Sequence, residues 1–227
     1  MRKIITIIIK ILVVIGAILG VILNTQTPYG QFLGAKTTFL FFTIQSNIWI
    51  ALTMLFLLIV FLLEYKAKKQ LFKKWMYIIK LIFTVAISLT CMVYCFILVP
   101  SAPENFDCWD IGSVLLHVVV PALAIIDYFV DIKNYQYKTK EVFLVILPPL
   151  YYLFFSLIGY FLNWDFGEGH NYPYFFLNYN SPAKIFGFSD EAPYFMGSFY
   201  WIVILLILVL GMGFIYKFIY NKLSKNS

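Results

Sequence analysis

A threonine and a histidine set into two apolar runs are the residues of this chain best suited to chemistry. Thr43 opens the polar cluster Thr43-Ile44-Gln45-Ser46-Asn47, and His117 stands between Leu116 and Val118. A threonine hydroxyl becomes a nucleophile when a base takes its proton, and a neutral imidazole, with an ordinary pKa of about 6.5, suits that task. Each residue also has a plain structural use. A threonine in an apolar helix commonly bonds the carbonyl four residues back. Gln45, Ser46 and Asn47 can hold helices together by hydrogen bonds. His117 is harder to absorb in that way, because an imidazole in hydrocarbon needs polar partners.

The elements that must position these residues follow from composition. Of 227 residues, 62% are hydrophobic, 20% aromatic and 12% charged. A soluble domain carries about 25% charged residues, so this chain belongs in a bilayer. Six apolar runs stand out, at about 4–23, 38–63, 75–99, 112–130, 142–162 and 197–216. Each approaches the ~20 residues that cross a hydrocarbon layer as a helix. The alternation of a β-barrel strand is missing from them. The expectation is an all-α, polytopic bundle of six transmembrane helices forming a single integral membrane domain over residues 1–227.

Charge sets the expected orientation. Of the 17 basic residues, 13 fall at the two termini and in the connections after the second and fourth runs. The remaining connections hold only Lys36 and Lys184 against seven acids, Glu104, Asp107, Asp110, Asp165, Glu168, Asp190 and Glu191. Basic loops stay cytoplasmic. Both termini are therefore expected inside, with the connections after the first, third and fifth runs outside. The net charge of +6 is explained by solvated or lipid-attracted loops, with no nucleic-acid partner. The first run, at about 20 residues, is longer than the apolar core of a signal peptide and lacks a small-residue cleavage site, so it is read as a retained helix. The bias toward Lys, Ile and Asn suits a bacterial plasma membrane.

On this topology the second and fourth runs cross in the same direction. Thr43 and His117 each lie about five residues, or ~7–8 Å, below the outer start of their run. They are thus expected at matching depth in the outer leaflet. Asn47 follows Thr43 by one turn on the same face and is a candidate to orient the imidazole or to donate to an oxyanion. Asp127 lies about 15 Å deeper than His117 and is expected to meet a lysine or other polar group near the inner interface. Lys10 and Lys80 fall inside the ends of their runs. His170 is expected to be a solvated loop residue. The third outer connection, rich in Tyr, Phe, Asn, Gly and Pro, suits an interfacial cap or a lid over an outer site. Pro121, Pro148 and Pro149 are expected to disturb the fourth and fifth helices. Gly16-x-x-x-Gly20 allows close helix packing. Cys91, Cys95 and Cys108 have no spacing that marks a metal or redox site, and neither a metal nor a cofactor is expected.

Several of these segments together resemble a family. Phe41-Phe42-Thr43-Ile44-Gln45-Ser46-Asn47, Leu116-His117-Val118-Val119-Val120-Pro121 followed by Asp127, Tyr172-Pro173-Tyr174-Phe175-Phe176-Leu177-Asn178, and Val93-Tyr94 look like the motifs of bacterial relatives of the androgen-induced membrane proteins. Animal members are multi-pass threonine hydrolases of fatty acid esters of hydroxy fatty acids. The resemblance implies Thr43 as nucleophile and His117 as base, with Tyr172 and Tyr174 in the family's tyrosine-proline-tyrosine outer loop. The chain departs from the pattern at Asn178, where an acid is expected, and at Ile158-Gly159, where Arg-Gly is expected.

Three functional readings follow. One is a lipid or fatty-acid ester hydrolase using Thr43 and His117, with Gln45, Ser46, Asn47, Tyr172 and Tyr174 supporting catalysis or substrate binding. Its partners are membrane lipids and an amphiphilic ester. The second is a small transporter or solute-binding subunit with a polar route from the cluster to Asp127. The third is a scaffold whose polar residues only join helices.

Overall fold

The computed structural model describes residues 2–26, 36–103 and 107–225, so Glu104 lies outside the described residues. Six helices long and apolar enough to cross a membrane make up the bundle. Helix α1 spans Arg2–Gln26. Helix α2 spans Phe42–Ala67 after a 3-10 turn at Thr37–Leu40. Helix α3 begins at Lys74 and continues past Val93 through a π segment, Tyr94–Leu98, to a 3-10 turn ending at Ser101. Helix α4 runs from Ile111 to Val130 with a π segment at Leu115–Val119. Helix α5 runs from Thr139 to Phe161 with a 3-10 stretch at Phe143–Ile146. Helix α6 spans Ser198–Lys225. Among the described residues the only β feature is an isolated bridge between Phe188 and Met196.

Two run boundaries need correction. The second run was expected to be helical from Thr38, but α2 starts at Phe42. Phe41 is extended and breaks the helix, and its neighbours Phe39 and Leu40 are too apolar for hydropathy to reveal the break. The sixth was expected to stop at Tyr216, yet α6 continues to Lys225. Its last turns are held by side chains. Asn221 Nδ2 donates to the Tyr137 carbonyl while its Oδ1 accepts from the Tyr137 amide, and Lys217 Nζ donates to Thr139 Oγ1.

Helix α3 is the central element, packing against α2, α4, α5 and α6. One core cluster joins α1, α2, α3 and α4 through Val13, Ile50, Met54, Ile87, Val120 and Ala124. A second, richer in aromatic rings, joins α3, α5 and α6 with the connection that follows α4. Lipid chains are as apolar as leucine, so close van der Waals fit carries such packing, and small residues permit it. A Cβ at Gly20 would come within 2.7 Å of Leu116 Cδ2, and one at Gly16 within 3.1 Å of Val120. The glycine pair therefore lets α1 lie directly against the π segment that carries His117.

The prolines sit beside irregular backbone. Pro121 follows the π segment of α4, and Pro148-Pro149 follow the 3-10 stretch of α5. A proline lacks its amide hydrogen and crowds the carbonyl four residues earlier. Local π and 3-10 hydrogen bonding re-pairs the freed groups, which hydrocarbon cannot solvate.

Candidate active site

The end of the bundle away from the lysine-rich connections brings the two sequence candidates together. Thr43 is the second residue of α2, and its Oγ1 lies 3.2 Å from His117 Nε2. The other ring nitrogen, Nδ1, lies 2.9 Å from the Ser113 carbonyl. A carbonyl only accepts, so Nδ1 carries the hydrogen. In the neutral ring Nε2 is then the acceptor, and it faces the threonine hydroxyl. That arrangement is the one a general base needs. It exists because the π segment Leu115–Val119 turns His117 toward α2 while keeping Ser113 within reach.

The imidazole is also clamped on a face. Tyr94 stacks on it with ring centroids 3.6 Å apart and planes 12° from parallel. Tyr94 begins the π segment of α3, and its hydroxyl donates to the Cys108 carbonyl of the second outer connection. Both residues of the stack thus sit on irregular helix, where π segments often accompany function. The sequence reading noted Tyr94 only as part of a motif. The Ser113 carbonyl went unnoticed, since a backbone acceptor has no residue signature.

The other members of the cluster have distinct jobs. Asn47 makes no hydrogen bond to the imidazole, whose nitrogens face Thr43 and Ser113, which corrects its expected role as orienter. Its Nδ2 donates to the Thr43 carbonyl at 2.8 Å and to the Leu116 carbonyl at 3.1 Å, tying α2 to α4 just beneath the pair. Both amide hydrogens are used there, so neither is left for an oxyanion. Ser46 shares a 2.7 Å hydrogen bond with Thr90 and donates to the Thr43 carbonyl, joining α2 to α3. Gln45 reaches back to the Phe39 carbonyl and braces the 3-10 turn.

The third outer connection folds over this end. Tyr174 packs edge-on against Phe41 and stacks on Phe176. Burial pushes its phenol above the ordinary value, opposed by hydrogen bonding with the Thr43 side chain and the Thr43 and Phe42 backbones. Tyr174 thus lies beside the first turn of α2, whose amides have no side-chain cap. Tyr172 is half-buried, with its phenol pushed up to about 12 by burial and by its neighbour Tyr194. It lines neither of the cavities at Thr43. His170 is exposed and stacks on Tyr172.

Those two cavities meet at Thr43 and Tyr174. The outer one is lined by Asn24, Thr38, Cys108, Ser113, His117 and Pro173 among others. The inner one is walled mainly by aliphatic and aromatic side chains of α3, α5 and α6. Asp127 lines neither, and it is fully engaged elsewhere. Its carboxylate lies 2.6 Å from Lys10 and 2.7 Å from Lys80, and both lysines also pair with Asp131. Among the described residues, no group of three or more His, Cys, Asp or Glu side chains is placed to hold a metal ion.

Fold and site together define an integral membrane protein with a cavity at one end of the bundle built around a threonine–histidine pair. No family model matches the chain, and neither a curated protein nor a solved structure matches it.

Proposed function

We propose that the protein is a membrane-embedded ester hydrolase acting on lipid or fatty-acid esters, with Thr43 as nucleophile and His117 as base. The observation that carries this reading is the 3.2 Å contact between Thr43 Oγ1 and the acceptor nitrogen of an imidazole whose other nitrogen is pinned. The resemblance to the androgen-induced membrane proteins points to the same two residues. The bias of basic residues supports an orientation with the pair on the outer side of a plasma membrane and both termini in the cytoplasm.

The reaction runs in two halves. His117 Nε2 takes the Thr43 proton as Oγ1 bonds to the ester carbonyl carbon. The carbon–alkoxy bond then breaks, and the leaving oxygen takes that proton from the imidazolium. In the second half His117 takes a proton from water, the hydroxide displaces Thr43 Oγ1 from the acyl carbon, and the proton returns to Thr43. An alcohol and a carboxylic acid leave. The negative charge on the tetrahedral oxygen needs donors. The free first-turn amides at the positive end of α2, beside the Tyr174 hydroxyl, are placed to supply them.

Purified protein in detergent tests this directly. Thr43→Ala and His117→Ala each lower ester turnover by two to four orders of magnitude, and Thr43→Ala also abolishes labelling by a serine/threonine-reactive phosphonate probe. Wild-type turnover and labelling in both variants would sink the hydrolase reading.

A further inference from the structure

Helices α5 and α6 pack on each other along Thr139–Ile146 and part over Leu147–Phe161. The inner cavity fills the gap that opens between them. Pro149, Tyr152 and Leu153 line it from α5, and Ile202, Leu205 and Leu206 line it from α6. Its far end is Thr43. His117 is not among its walls and belongs to the outer cavity alone.

We infer that this apolar chamber is the acyl-chain site, entered sideways from the bilayer between α5 and α6, and that the alcohol half of the ester lies in the outer cavity. This rests on the hydrolase reading and assigns its substrate a direction. The first argument is stereochemical. The leaving alkoxide takes its proton from His117, so the alcohol half lies on the histidine side of the carbonyl. The acyl chain must then extend to the other side of Thr43, where the apolar chamber is.

The second argument is solvation. An alkyl chain moving from lipid between Leu153, Ile202 and Leu205 exchanges one apolar contact for another. The same chain in the outer cavity would lie against Asn24, Thr38 and Ser113, whose polar groups lose solvation beside hydrocarbon. The acyl-enzyme keeps its chain in the chamber while the alcohol leaves by the outer cavity and water arrives along the same route. The recognised substrate is therefore an ester whose acyl half is an apolar alkyl chain and whose alcohol half is the more polar part.

Two ester series test the assignment. One varies acyl length from acetyl to palmitoyl on p-nitrophenol, and the other varies alcohol length on acetate. Leu205→Trp narrows the chamber and lowers the dodecanoyl-to-acetyl rate ratio by about tenfold or more, and Ile202→Phe repeats the effect from a neighbouring position. Leu205→Ala moves the preference toward longer acyl chains. The alcohol series keeps its profile in all three. Equal losses along the acyl series, or a length effect confined to the alcohol series, overturn the assignment. Thr43→Ala separates the two levels. If it keeps activity, the hydrolase reading itself falls; if it is inactive while the chamber variants do not discriminate, only the chamber assignment falls.

Discussion

The His117 ring is held at both nitrogens and on one face. Ser113 fixes the tautomer, Thr43 meets the free nitrogen, and Tyr94 covers the ring. A ring of that size can pivot by an ångström without breaking any covalent constraint, and such a displacement costs about a hundredfold in rate. On the proposed mechanism Tyr94 is therefore a positioning residue. Tyr94→Phe keeps the stack and leaves kcat within a few-fold, whereas Tyr94→Leu lowers kcat by about ten- to a hundredfold with little change in KM. Parallel kinetics of the two variants check this. Equal losses in both would instead assign the effect to the hydroxyl and its bond with Cys108. Thr43 and His117 were legible in the sequence because polar side chains are conspicuous in apolar runs. Tyr94 was not, since an aromatic ring near a membrane interface is ordinary. Asn47 was misread for a related reason. Its spacing from Thr43 is visible in sequence, but which of several carbonyls an amide chooses is decided by the neighbouring helix.

At the scale of the elements, the order of helices follows from hydropathy, while their irregular stretches do not. The π segments of α3 and α4 have no compositional mark apart from Pro121, yet they aim Tyr94 and His117 at each other. The buried charges were half legible. Asp127 was expected to find a polar partner near the inner interface, and Lys10 and Lys80 were visible inside apolar runs. That the three converge across α1, α3 and α4 required the fold. The result is a four-residue ion lattice of Lys10, Lys80, Asp127 and Asp131, each side chain no more than 6% exposed. Removing one member leaves an uncompensated buried charge, at a cost of about 3–5 kcal/mol. Asp127→Ala should accordingly unfold at a markedly lower temperature in detergent, as followed by circular dichroism, while Lys36→Ala, on the exposed outer side, leaves the melting temperature in place. The lattice also predicts an acid limb. Burial raises the Asp131 carboxyl, but Lys80, Lys10 and Lys133 outweigh it and hold it below the ordinary value of 3.8. A carboxyl lowered in the folded state adds stability above about pH 4, and the contribution is lost as pH falls through its folded value. Melting temperature should therefore hold from neutral pH down to about 5 and drop below about 4. Asp131→Asn should lower the plateau and flatten that drop.

For the whole molecule, the site has meaning only once a leaflet is assigned. The bundle is divided between a lysine-rich end, closed by the ion lattice and by rings such as Tyr128, Tyr137 and Tyr220, and an opposite end where the cavities and the Tyr172–Asn178 loop lie. In the orientation proposed from the bias of 13 basic residues to one side, the second end lies outside. The proposed chemistry depends on that placement, because water and the alcohol product must exchange through the outer cavity while the acyl chain comes from the adjacent leaflet. Residues at the two ends make the orientation measurable. Asn180 and Lys68 are both exposed, one in the third outer connection and the other in the connection after α2. In a cysteine-free background on intact cells, Asn180→Cys should react with a membrane-impermeant maleimide, and Lys68→Cys should react only after permeabilisation. The reverse pattern would turn the bundle over. Thr43 and His117 would keep their geometry, but the chamber between α5 and α6 would then draw its acyl chain from the inner leaflet, and the products would be released to the cytoplasm.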